Sequence, residues 1–227
     1  MARPVPPILL PLTLSRRDPS GAYGLMFLRR FIQLQLGLLL YGASLALMVR
    51  ADLGLNPWSV LHQGLSELTG LSLGLIVNLV GALVLLIWIP LRQKPGVGTI
   101  CNVLVIGTAA DVALWALPPI EGLGLKIAFL ITAIVLNGAA TAAYIGAGLG
   151  PGPRDGLTTG LVRITGWRIG WARTAIEVAV LGGGWLLGGV AGVGTVLYAL
   201  ANGPLIQRFM PWFEIGPKRE VRPASSV

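Results

Sequence analysis

Ala51-Asp-Leu-Gly-Leu-Asn-Pro-Trp-Ser-Val-Leu-His-Gln-Gly-Leu-Ser-Glu-Leu-Thr-Gly70 is written a second time, as Ala147-Gly-Leu-Gly-Pro-Gly-Pro-Arg-Asp-Gly-Leu-Thr-Thr-Gly-Leu-Val-Arg-Ile-Thr-Gly166. Leu53/Leu149, Gly54/Gly150, Pro57/Pro153, Gly64/Gly160, Thr69/Thr165 and Gly70/Gly166 are identical pairs at a constant offset of 96 residues. The frame holds without a gap to Gly96-Val-Gly-Thr99 and Gly192-Val-Gly-Thr195. A Leu-rich chain produces chance Leu matches, but not Gly, Pro and Thr in one frame. The chain is an internal duplication.

Each copy reads as a short helix. Asn56 is a good N-cap, and Pro57 takes the first helical position, where a missing N–H costs nothing. Leu61, Leu65 and Leu68 share one face, and Gly70 stops the helix. Copy two has Gly152 and Pro153 at its start, Leu157, Leu161 and Ile164 on its face, and Gly166 at its end. A helix from Pro57 to Thr69 is about 20 Å long at about 1.5 Å per residue, too short for a hydrocarbon layer of about 30 Å. It lies in the interface, the commoner arrangement, or re-enters the membrane without crossing.

The surrounding chain is that of a membrane protein. Mean hydropathy is +0.77, with 54% hydrophobic and 11% charged residues, far less charge than a soluble domain carries. The single cysteine, Cys101, excludes an internal disulfide framework. The net charge of +8 would suggest nucleic acid in a soluble protein. Here the basic residues flank apolar segments, so no nucleic-acid partner is expected and the bilayer is the expected environment.

Residues 1–30, rich in Pro and Arg, read as a disordered basic cytoplasmic leader. Six spans follow: Phe31–Val49, Leu71–Leu91, Gly98–Leu117, Gly124–Ala147, Gly170–Leu187 and Gly194–Phe209. Repeat one is 31–117, repeat two is 124–213, and 214–227 is a cytoplasmic tail. With three spans per repeat, the copies enter the membrane in opposite directions. The expected fold is therefore all-α, six transmembrane helices in two inverted three-helix repeats, each with a short helix after its first span. Basic residues support this. With both termini cytoplasmic in a bacterial inner membrane, Arg92, Lys94, Arg154, Arg163, Arg168 and Arg208 fall inside, and only Arg50 and Lys126 outside. Trp115 and Trp185 near outer ends, with Trp88, Trp167 and Trp212 near inner ends, read as interfacial anchors.

The two motif copies, Met48-Val-Arg-Ala-Asp-Leu-Gly-Leu-Asn-Pro-Trp-Ser-Val-Leu-His-Gln-Gly-Leu and Gly148-Leu-Gly-Pro-Gly-Pro-Arg-Asp-Gly-Leu, resemble the YczE/YyaS/YitT family of bacterial integral membrane proteins. The likeness covers about Phe31 to Phe213 and is nearest the YczE branch, which implies a membrane protein of unassigned activity. The family's first motif often carries an acid after Pro-Trp. Here Ser59 stands there, and the acid appears only in copy two, as Asp155.

Candidate binding residues follow from the helix starts and the intramembrane charges. Asn56, Trp58, Ser59, His62 and Gln63 cluster in copy one, and Arg154, Asp155, Thr158 and Thr159 in copy two. A helix N-terminus carries partial positive charge and free N–H donors, so each start suits an anionic or carbonyl group. Arg173 and Glu177, one turn apart in the fifth span, pair on one helix face; Glu177 reads as the deeper member. Asp111 is a further intramembrane charge. Asn78, Asn102, Asn137 and Asn202 read as interhelical hydrogen-bonding groups. With a lone His and a lone Cys, no metal site or cofactor is expected. No catalytic constellation of recognised spacing appears, so an enzyme is not expected. The leading functional expectation is a small-solute transporter or exporter. The alternative is a non-transporting scaffold that stabilises partner proteins. A polar cavity joining the two motif copies separates the first from the second.

Overall fold

The computed structural model describes residues 20–215. Most of the basic leader and nearly all of the expected tail lie outside this range. Among the described residues the chain is all-helical: α1 (Ser20–Ala51), α2 (Pro57–Thr69), α3 (Leu73–Trp88), α4 (Val97–Ala116), α5 (Leu123–Gly146), α6 (Pro153–Thr165), α7 (Ile169–Leu186) and α8 (Val193–Phe213). Helix α1 begins before Phe31, so residues 20–30 are helical rather than part of a leader. Nothing from Gly21 to Ala51 is a proline, and the apolar run simply continues backward.

The duplication extends to the helix boundaries. Helices α2 and α6, α3 and α7, and α4 and α8 start 96 residues apart. The local causes are shared. Gly70 and Gly166 end the short helices in the left-handed region, at φ 73° and 69°, where a side chain would be strained. Thr99 and Thr195 each accept a hydrogen bond from the backbone N–H three residues earlier, at 3.1 Å, fixing the starts of α4 and α8.

Helices α1 and α5 run antiparallel through the centre. Gln33 donates to the Ala143 carbonyl (2.9 Å), Asn137 to Ser44 Oγ (2.8 Å), and Lys126 pairs with Asp52 at the far end (3.2 Å). Glycine permits the approach: a Cβ on Gly37 would lie 2.9 Å from the Tyr144 backbone nitrogen of α5, and one on Gly42 would lie 2.6 Å from the Ile106 carbonyl oxygen of the neighbouring α4. The halves are also tied reciprocally. Gly98 N–H donates to the Leu149 carbonyl (2.8 Å), and the equivalent Gly194 N–H donates to Leu53 (2.7 Å). Reciprocal contacts between equivalent residues characterise a self-complementary, two-fold type of interface.

Among the described residues three helical stretches are long and apolar enough to cross a membrane: Gly24–Ala51, Val97–Ala116 and Leu123–Gly146. Helices α2 and α3 together make a possible fourth, bent by 114° at the Gly70 break. Large apolar side chains such as Leu36, Leu104, Ile131 and Leu200 stand exposed on the outer faces. A soluble protein does not tolerate that pattern, whereas lipid requires it. The chain is a multi-pass membrane protein in contact with the bilayer.

Two expectations change. Helix α2 does not lie on the surface: Trp58, Ser59, Val60 and His62 are buried inside the bundle. Its partner α7 and the turn that follows bring Gly184 and Gly189 against Val60, where an added Cβ would meet backbone at 2.5 Å and 2.1 Å. The bare glycine face draws the short helix inward. Trp88 is not an interfacial anchor, being 1% exposed, whereas Trp115 is 89% exposed. The Trp88 indole is held inside because its Nε1–H donates to the Pro153 carbonyl at 3.0 Å.

Candidate functional site

The first turn of α6 is held in place without a side-chain cap. Its N-cap, Gly152, has no side chain, so Asp155 N–H turns to the Gly152 carbonyl (3.1 Å), where the equivalent Ser59 N–H of α2 donates to Asn56 Oδ1 (3.0 Å). Trp88 lies flat against Gly156, where a Cβ would meet the indole at 1.9 Å. This contact presses the turn into the bundle and aims Arg154 toward the centre.

Arg154 donates to the hydroxyl of Tyr41, in the middle of α1. Its guanidinium lies 5.7 Å from the centroids of both the Tyr41 and Trp58 rings. Such cation–π contacts are worth about 2 kcal/mol or more where water is excluded. Among the described residues no carboxylate pairs with Arg154. Asp155, its neighbour, faces another direction, because adjacent residues on a helix do not face each other. The Asp155 carboxylate receives a long hydrogen bond from the Tyr144 hydroxyl (3.4 Å). Trp58 and Arg154 are repeat equivalents, 96 residues apart, and they touch. The two short helices therefore meet by their first turns.

A cavity of about 180 Å³ opens beside this contact. Half two supplies Arg154, Asp155 and Thr158 from α6, Arg173 and Glu177 from α7, and Tyr198 and Asn202 from α8. Helix α5 adds Thr141 and Tyr144; half one adds Tyr41, Trp58 and Asn102. Arg173 Nε and Glu177 Oε1 are 2.9 Å apart, with side chains 61% and 37% exposed, so the pair lines the cavity without being buried in it. Arg154, bonded to mid-α1, rather than either member of this pair, is the inner charge. The reason is that α7 stands on the outer side of the cavity while α6 points into it. Tyr198 donates to Asn137 Oδ1 (2.8 Å) and accepts from Asn202 Nδ2 (3.0 Å). Two cavity-lining residues, Thr141 and Asn202, are 6% and 7% exposed, yet Thr141 Oγ1 and Asn202 Oδ1 have no partner. Unpartnered buried polar atoms are rare and call for an explanation.

A second, smaller cavity of about 50 Å³ lies across the Tyr41–Arg154–Trp58 contact. It is built on equivalent positions of half one. Leu45, Val77, Gly81 and Ile106 stand where the first has Thr141, Arg173, Glu177 and Asn202. Ser59 and His62 face it in place of Asp155 and Thr158. Two related spaces, one polar and one apolar, thus share a wall of Tyr41, Trp58 and Arg154.

The structure brings together eight of the candidate residues around these cavities: Trp58, Ser59, His62, Arg154, Asp155, Thr158, Arg173 and Glu177. Three lie elsewhere. Asn56 is consumed in capping α2, Gln63 accepts from Val190 N–H (2.9 Å), and Thr159 bonds back to the Gly156 carbonyl (3.1 Å). Asp111 receives bonds from Ser72 Oγ (2.6 Å) and Gly74 N–H (2.7 Å), which makes it a brace for the start of α3. The sequence reading missed Tyr41, Thr141, Tyr144 and Tyr198. A signal existed for Tyr41, which sits well inside an apolar span, away from the interfaces where membrane tyrosines collect.

Residues 28–211 match a family model described as a family of unknown function, DUF6198. The chain is 37% identical over 169 residues to an uncharacterized protein of Haemophilus influenzae, covering 74% of this chain and 78% of that one. It is 33% identical over 175 residues to the uncharacterized membrane protein YczE of Bacillus subtilis, covering 77% and 81%. No solved structure matches it significantly.

Proposed function

The chain belongs to the DUF6198 family, and from that premise we propose that it is a small-solute transporter of the bacterial inner membrane. It is built as two inverted three-span halves, α1, α3, α4 and α5, α7, α8, with both termini cytoplasmic. The short helices α2 and α6 re-enter from opposite faces and meet near mid-membrane. Several observations support this reading. Helices α1 and α5 are repeat equivalents yet run antiparallel, as expected when the relating axis lies in the membrane plane. The reciprocal Gly98–Leu149 and Gly194–Leu53 bonds agree with it, as does the basic-residue asymmetry. The observation that carries the function is the polar cavity joining the two motif copies at Trp58 and Arg154. Paired broken helices around a central site are how inverted-repeat transporters hold their solutes. The role proposed for the cavity is binding and passage, with no catalytic step.

Two measurements test it. Periplasmic-reporter fusions should be active after Glu121 and inactive after Lys94; the reverse would end the inverted arrangement. In a variant lacking Cys101, a single cysteine at Thr158 should react with a membrane-impermeant thiol reagent added to inside-out vesicles. No labelling from either face would remove the aqueous path and leave the scaffold reading.

A further inference from the structure

Resting on the transporter reading, we infer that the solute is a small zwitterion with an apolar substituent, its anionic group held by Arg154 and its cationic group by Asp155. The argument is one of charge. The cavity has four ionised side chains, of which Arg173 and Glu177 neutralise each other at 2.9 Å. Arg154 and Asp155 remain, each without an ion-pair partner among the described residues. A guanidinium offers five donors in a fork, and only the bond to Tyr41 is recorded for this one. A carboxylate accepts about four hydrogen bonds, and this one receives a single long one at 3.4 Å. A plain anion would satisfy Arg154 but face Asp155; a plain cation would do the reverse. Charge removed from water without a partner is costly, so a ligand carrying both signs is the one both residues accept.

The buried polar atoms agree. Asn202 Oδ1 is an acceptor with no donor, and Thr141 Oγ1 can serve either role; both residues are more than nine-tenths buried. An ammonium has more than one N–H to give, and Asn202 Oδ1 is a second acceptor on the same cavity as Asp155. The apolar substituent follows from the neighbouring space. Beyond the Arg154 wall Leu45, Val77, Val80 and Ile106 line the smaller space together with Ser59 and His62, and its hydrocarbon share favours an apolar group over water. An α-amino acid with an apolar side chain is the simplest molecule of this class.

The full chain, reconstituted in lipid nanodiscs, is titrated calorimetrically with the L-amino acids and glycine betaine. The tightest ligand is then compared with its two single-charge analogues, the acid lacking the amino group and the amine lacking the carboxylate. We expect each analogue to bind about tenfold more weakly or worse, as for loss of one charge-assisted hydrogen bond. Arg154→Gln should bring the zwitterion down to the affinity of the amine, and Asp155→Asn to that of the acid. A purely structural role for either residue would weaken all ligands alike. Should Arg154→Gln fail to elute as a folded species, Asp155→Asn and the wild-type comparison decide alone. Equal affinity for the zwitterion and the acid, or no binding by any member of the panel, overturns the inference. Binding in nanodiscs requires no transport, so the two readings fail separately. Zwitterion binding without uptake into proteoliposomes keeps the ligand class and ends the transporter. Uptake of single-charge solutes with no zwitterion preference does the opposite.

Discussion

The polar and apolar cavities occupy equivalent places in the two halves and differ in almost every side chain that matters. Where half two has Thr141, Arg173, Glu177 and Asn202, half one has Leu45, Val77, Gly81 and Ile106. The backbone frame is shared, down to the helix starts. Duplication therefore conserved what glycine, proline and threonine specify, the turns and close approaches. It left the lining free to diverge. The caps diverged too: the Asn56 side chain caps α2, whereas Gly152 has none to offer α6. One lining carries charged and polar groups, the other mainly hydrocarbon.

The harshest way to break this contrast is to make the polar cavity resemble the apolar one. Thr141→Leu with Asn202→Ile should abolish solute uptake, lowering it about a hundredfold or more. Thermal unfolding in detergent should change little, because removal of two buried unpartnered atoms offsets the loss of the Asn202 Nδ2 bond to Tyr198. A clear fall in stability would show that those atoms serve the fold. Glu177→Gln comes next. It leaves Arg173 without its partner at 2.9 Å and should reduce uptake about tenfold while the protein still inserts. A silent change would move the site wholly to Arg154 and Asp155.

The shared frame is tested by two equivalent contacts. Gly184→Ala puts a Cβ 2.3 Å from the Leu61 backbone nitrogen, and Gly156→Ala puts one 1.9 Å from the Trp88 ring. Each should cost about 1–3 kcal/mol of stability by overpacking, read from the thermal midpoint of the purified protein. The Gly184 variant should lose more, since backbone yields less than a ring. Removing the cap that distinguishes the halves is gentler. Asn56→Ala should cost about 1 kcal/mol with uptake retained, because Asn56 is 1% exposed and lines neither cavity. The smallest effect belongs to Asp52→Asn at the rim, where the pair with Lys126 has side chains 59% and 27% exposed. Such pairs contribute about 0–1 kcal/mol and are screened by salt.

Much of the architecture could be read from the chain alone. The cap at Asn56, the prolines at Pro57 and Pro153 and the stops at Gly70 and Gly166 are local signals acting within one turn of helix. The duplication made the prolines and the glycine stops visible twice. Membrane residence followed from apolar run length, a property of composition. The candidate site was only partly legible. Asn56, Gln63 and Thr159 look like Trp58, His62 and Thr158 in sequence, being polar or aromatic groups at the start of a short helix. Their bonds to Ser59, Val190 and Gly156 take them out of contention. Tyr144 and Thr141 lie on α5, outside both motif copies, and their equivalents 96 residues earlier are Met48 and Leu45.

What the sequence by itself determined is therefore the set of parts: a membrane chain, written twice, with two short proline-headed helices and charges concentrated in the second copy. These depend on interactions between residues a few positions apart, and on the transfer of whole segments out of water. Only the tertiary structure decided that α2 is buried, that Trp58 meets its own equivalent Arg154, and that Arg154 and Asp155 line a cavity without an ion-pair partner among the described residues. Those outcomes depend on which helix faces approach. Here that is set by glycines far apart in the chain, such as Gly42 against α4, Gly156 against Trp88 and Gly184 against Leu61. A missing side chain has no partner written into the sequence; it acquires one only when another backbone moves into the space.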